Sequence, residues 1–231
     1  MMKNPKLIFK VNRGRDLHNV WQTCNEDSSW HDFSKYMPSK VIEICKDVEF
    51  KKVKGKIGGF YETIHNSGLI EIYLKAVEAG WRKIEKSYFD WLFKLTGKEF
   101  DISRCFVYPT VACRCPYFYD NDKKKNSFFL INFFSSVSGT LGTIAHELMH
   151  FHFFANYMGM VIEKIGREKA EDLKEALTVL LREGAVGLYW SVDQGYEPHK
   201  KLRSYITKQW KKKKDFDLLI DKCIKYIERK S

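Results

Sequence analysis

The chain has 231 residues, 44% hydrophobic and 15% aromatic, which excludes a disordered chain and leaves one sizeable core or two small lobes around a cleft. Forty Lys and Arg against 29 Asp and Glu give +11. The lysines are spread along the chain, so a well-solvated basic face is expected and nucleic acid is kept as a secondary partner.

Leu7 to Val11 has the composition of a short strand. Asn12 to Pro38 is polar and Trp-containing and reads as irregular. Pro38-Ser39 opens a helix over Lys40 to Val48, and Gly55 to Gly59 is a breaker cluster. Asn66-Ser67 caps a long helix from Leu69 to Leu95, whose apolar positions Ile72, Tyr73, Ala76, Val77, Ile84 and Tyr88 follow the helical period. Gly97 is its C-terminal glycine. Arg104 to Ala112 and Phe128 to Phe134 are rich in β-branched and aromatic residues, and Tyr119 to Ser127, with Lys123-Lys124-Lys125, is a solvated turn; a β-hairpin is expected. Ser135 to Gly139 caps a helix to Tyr157 with Gly159 as its stop. Helices over Arg167 to Leu181, Pro198 to Trp210 and Phe216 to Arg229 complete the chain.

The expected organisation is α+β: an α-rich N-terminal lobe over residues 1–100, then a small sheet and a helical C-terminal lobe over residues 101–231, together one compact monomeric unit. Cys24, Cys45, Cys105, Cys113, Cys115 and Cys223 are irregularly spaced, and Cys113-Arg114-Cys115 is not the CxxC of zinc ribbons or redox motifs. Met1 to Asn12 lacks the apolar core of a secretory leader, and no run of about 18 apolar residues is present to span a membrane. A cytoplasmic protein with free thiols and no membrane association is expected.

The strongest signal is Thr143-Ile144-Ala145-His146-Glu147-Leu148-Met149-His150-Phe151. Four residues apart on a helix, His146 and His150 project from one face. Two imidazoles at that spacing suit zinc, and Glu147 beside the first of them is placed to act as a general base. The flanking Ile144, Ala145, Leu148, Met149 and Phe151 are uncharged, as a helix buried beneath a cleft requires.

This segment resembles the active-site helix of the zincin metallopeptidases, and the resemblance covers Arg104 to Gly184. It implies a zincin-like fold whose sheet edge strand aligns an extended peptide, a Zn2+ cofactor, and peptide-bond hydrolysis by a zinc-activated water with Glu147 as base. A peptide or protein would be the substrate. Catalytic zinc takes three protein ligands. No His follows at metzincin spacing, and His152 points away from the His146–His150 face. That leaves the gluzincin arrangement, with a Glu on a later helix. Glu175 is the leading candidate, an acid beside the apolar run Ala176 to Leu181. Glu183, in Glu183-Gly184-Ala185, and Glu171, one turn before Glu175, are the alternatives.

A donor for the tetrahedral oxyanion is sought in Asp193 to His199, with Tyr196 or His199 as donor, Asp193 orienting His199, and Arg203 binding a substrate carboxylate. The alternative from another class is a non-catalytic or regulatory zinc module that binds nucleic acid or a regulator protein, supported by Trp210 and Lys211 to Lys214.

Overall fold

A computed structural model describes residues 4–26, 31–122 and 125–229. Met1 to Lys3 of the leader reading, and Lys123 and Lys124 of the expected turn, lie outside the described residues. The architecture is α+β, mainly helical, with one four-stranded mixed sheet among those residues. It divides into two compact units, one of Lys6–Trp81 with Arg104–Thr140, the other of Met1–Pro5, Arg82–Ser103 and Leu141–Ser231. The division is not the expected one at residue 100.

The first unit holds the sheet. Strand β1 (Lys6–Phe9) leads to helix α1 (Arg13–Asn25), which occupies the segment expected to be irregular. The Asn12 side chain accepts the Arg15 amide at its start, and Leu17, Val20 and Cys24 form its buried stripe. Helices α2 (Ser39–Cys45) and α3 (Phe50–Phe60) follow. The glycine cluster does not break α3. Val53 and Ile57 bury its inner face, while Gly55 and Gly59 look into open space. Short α4 (Glu62–Asn66) and long α5 (Leu69–Thr96) come next. Gly97 closes α5 with φ +69°.

Strands β2 (Arg104–Thr110), β3 (Tyr117–Phe118) and β4 (Ser127–Asn132) complete the sheet in the order β1-β2-β4-β3. The expected hairpin between the two long segments is not formed. β2 and β4 run parallel, Cys105 opposite Ser127 and Thr110 opposite Asn132, and only β3 pairs antiparallel with β4. Unbroken burial of Val107 to Thr110 and of Phe129 to Ile131 is what parallel strands require, because both faces are covered. Asp16 ties α1 to this sheet: its carboxylate accepts from Thr110 Oγ1 (2.7 Å) and the Val111 amide (2.9 Å) and pairs with His65 Nε2 at 2.6 Å.

The second unit is helical. Helix α6 (Val137–Asn156) carries the two-histidine motif from Leu141 onward. It is buried from Ile144 to Phe153 save for the partly buried His146, as its uncharged flanks require. Tyr88 of α5 donates to the Ala145 carbonyl at 2.6 Å, and Thr96 lies 2.8 Å from His152 Nε2, so the later half of α5 belongs with α6. The chain does not stop at Gly159; α7 (Met158–Ile165) runs through it and ends at Gly166, φ +80°. Then come α8 (Arg167–Leu177), a 3-10 turn over Thr178–Glu183, α9 (Val186–Tyr189), and a 3-10 turn at Glu197–His199 leading into α10 (Lys200–Lys212). Last is α11 (Phe216–Glu228), capped by the Asp215 side chain at the Leu218 amide. α8 packs against α7 and α10. No helix among the described residues is long and apolar enough to cross a membrane.

Candidate metal centre

Helix α6 projects the His146 and His150 rings side by side, with centroids 4.3 Å apart. Glu175 comes from α8, where the small, fully buried Ala176 beside it lets the helices approach. Its Oε2 lies 3.4 Å from His146 Nε2 and its Oε1 lies 3.1 Å from His150 Nε2. Ligand atoms of the three residues lie within 4.8 Å of one another, and among the described residues no other such group of three His, Cys, Asp or Glu occurs. For metal–ligand bonds of 2.0–2.1 Å, the edge of a coordination tetrahedron is about 3.3–3.4 Å. The two nitrogen–oxygen separations run to different oxygens of Glu175 and are close to that edge length, and two imidazoles with one carboxylate are a donor set that suits zinc. His150 is 1% exposed and the His146 side chain 16%, so the group is sealed beneath His150 and opens toward His146.

A supporting layer holds His146. Asp193 Oδ1 lies 3.3 Å from His146 Nδ1, the nitrogen that faces away from Glu175. The other Asp193 oxygen accepts from Arg203 Nη2 (2.7 Å) and stands 2.8 Å from Thr178 Oγ1. Arg203 Nη1 donates to that same Thr178 hydroxyl at 2.8 Å, and Arg182 grips the Asp193 carbonyl through two nitrogens. Gly142, one turn before His146, makes room for the segment that delivers Asp193. A Cβ there would stand 3.1 Å from Ser191 and 3.5 Å from the Tyr189 ring. Gly195 makes room for Arg203. It sits at φ +66°, and a Cβ on it would meet the guanidinium carbon at 2.6 Å.

Burial governs the electrostatics. Burial alone would push His146 down, but the Asp193 and Glu175 carboxylates outweigh it and hold its pKa well above the ordinary imidazole value. Burial would raise Glu175, but His150, His146 and Lys174 bring it well below the ordinary carboxylate value. In the metal-free chain a proton on His146 thus balances the carboxylates around it. Burial pushes His150 down to about 3, so its ring is uncharged at neutral pH and one of its two nitrogens offers an electron pair to a metal. Glu147 is 7% exposed; burial, reinforced by the nearby Glu175 and Asp193 carboxylates, raises it to about 7. Its Oε2 is buried without a hydrogen-bond partner among the described residues.

The structure thus brings His146, His150, Glu147 and Glu175 together and leaves the alternatives outside. Glu171 pairs with Lys174 Nζ (2.8 Å) and Arg167 (3.8 Å). Glu183 is exposed on the 3-10 turn, because α8 ends at Leu177 instead of continuing to Leu181. His152 packs beneath α6, against Thr96 and the Phe100 ring. His199 is buried with Nε2 3.0 Å from Asp172, and Tyr196 stacks edge-on to it at 5.9 Å. Asp193 therefore orients His146 and not His199, and Arg203 is committed to Asp193 and Thr178 instead of a substrate carboxylate. The six cysteines are free thiols. Sequence reasoning missed the grip of Asp193 on His146 and the buried Lys174. The signal for Lys174 was a lysine inside the buried run Leu173 to Leu181. No family model, curated protein or solved structure matches this chain.

Proposed function

We propose that the protein is a zinc-dependent metallopeptidase of the gluzincin type, with His146, His150 and Glu175 holding the metal and Glu147 as general base. The observation that carries this reading is the donor geometry, two imidazole nitrogens 3.1 and 3.4 Å from one carboxylate, with a second buried carboxyl beside it. Bound there, zinc supplies Lewis acidity to water and to a peptide carbonyl. Glu147 supplies the proton traffic. Its carboxyl, raised to about 7, changes protonation state near neutral pH, and its partnerless oxygen is available to an attacking water. It accepts that water's proton and delivers it to the departing amine. Asp193 keeps the His146 proton on Nδ1 and turns Nε2 toward the metal.

A closed structural zinc would have four protein ligands. Three are gathered among the described residues, and His146, more exposed than His150, marks the more open side, which supports a peptidase over a non-catalytic zinc module. A peptide or protein is the proposed substrate. The test is elemental analysis of the purified protein with hydrolysis assays on a peptide library. Wild type should carry stoichiometric zinc and cleave peptides. Glu147→Gln should keep the zinc and lose about 10²–10⁴-fold in rate. Wild-type activity in that variant sinks the general-base role, and absence of zinc sinks the metal centre.

A further inference from the structure

Buried charge is costly unless it is paired, and helix α8 buries a lysine beside the candidate metal ligand. The Lys174 side chain is 1% exposed. It lines a small cavity together with Met149, Phe153 and Leu177, and its ammonium stands 5.4 Å from the centre of the Phe154 ring. Phe154 is one turn beyond His150 on α6, so Lys174 approaches the end of the stripe that carries both histidines. Nζ is 2.8 Å from Glu171 Oε2 and 3.2 Å from Glu175 Oε1.

Adjacent helical residues do not face each other, so the contact between Lys174 and Glu175 is not a default of the helix. Glu171, three residues back and on the lysine's own side, draws the ammonium up, and Phe154 supports it from α6. For stability alone, an apolar side chain of similar length would serve as well. The ammonium therefore answers to Glu175.

We propose that Lys174, anchored by Glu171, is a positioning residue for Glu175: it fixes the carboxylate against the two histidines and engages Oε1, leaving Oε2 as the less encumbered donor. This rests on the metal centre proposed above. Without the ammonium, Glu175 loses its charge partner on α8 and the restraint on its rotamer, and metal affinity falls. The earlier candidate Glu171 thereby acquires a role at one remove from the metal.

The test is zinc affinity of the full chain by competition with a chromophoric chelator, together with the visible spectrum of the Co2+-loaded protein. Lys174→Met keeps the volume and removes the charge; Glu171→Gln keeps the lysine and removes its anchor. Lys174→Met should bind zinc about 10–100-fold more weakly, with a shifted Co2+ spectrum, and Glu171→Gln should move both readouts in the same direction by less. Melting temperature in chelator separates this effect from loss of fold. Wild-type affinity and an unchanged spectrum in a folded Lys174→Met overturn the proposal and leave the metal centre standing. If Lys174→Met does not fold, Glu171→Gln decides: weakened binding supports the positioning role and wild-type binding overturns it. A wild-type chain that takes up no zinc overturns both.

Discussion

Asp193 Oδ1 stands 3.3 Å from His146 Nδ1, on the side of the ring opposite Glu175. The ring is held between two carboxylates, one placed to select the tautomer and the other belonging to the proposed metal ligand. Asp193→Asn keeps the size and removes the charge. Zinc affinity should fall about 10–100-fold with the fold intact, as measured by chelator competition. An unchanged affinity would show that His146 needs no partner at Nδ1.

Three glutamates were open as the third ligand when only the sequence was considered, and the structure separates them sharply. Glu175→Ala should take up far less zinc than the wild type under the same loading, whereas Glu183→Gln, at an exposed residue, should leave metal content and melting temperature unchanged. Loss of zinc in the Glu183 variant would move the site to the 3-10 turn.

The two-histidine helix and Glu175 were legible because each breaks a local rule: polar groups recur at helical spacing inside runs that are otherwise apolar. The long helix Leu69–Thr96 was legible from its period and its terminal glycine. α1 was missed because nine of its 13 residues are polar, charged or glycine, although Leu17, Val20 and Cys24 already carry the helical spacing. The parallel pairing of β2 with β4 was hidden because two strands separated by a turn-rich segment resemble a hairpin; here Tyr117–Phe118, just before that segment, form a strand of their own, β3, and it is this strand that pairs antiparallel with β4. Asp193 was assigned to the nearby His199 because spacing along the chain favours the local partner. Its true partner is 47 residues away, brought close by the small residue at Gly142.

Gly195 tests the outermost part of that support. Replacing it with Ala forces a side chain into φ +66° and places Cβ 2.6 Å from the Arg203 guanidinium. The backbone strain alone costs on the order of 1 kcal/mol. Arg203 must also shift away from Asp193 and Thr178. A lowered melting temperature is expected together with weaker zinc binding. A stability loss without any change in zinc affinity would confine Arg203 to the fold.

His152 offers a pH test on the far side of the same helix. Burial, with Lys98 nearby, pushes its imidazole down to about 4 from an ordinary 6.5. The folded state therefore prefers the neutral ring, while the unfolded chain takes up a proton first as pH drops. His152 contributes its full stabilisation above about pH 6.5 and loses it as pH falls toward 4, at most about 3 kcal/mol over that interval. His152→Leu removes this titration. Thr96 Oγ1 loses His152 Nε2, but it still reaches the Leu92 carbonyl at 3.0 Å. Denaturant unfolding of the chelator-treated proteins between pH 4 and 7.5 should give a flatter curve for the variant than for the wild type. His150 and the other acid-sensitive groups titrate in both chains, so the difference between the curves isolates His152. Parallel curves would show that its ring is as readily protonated in the fold as in the open chain.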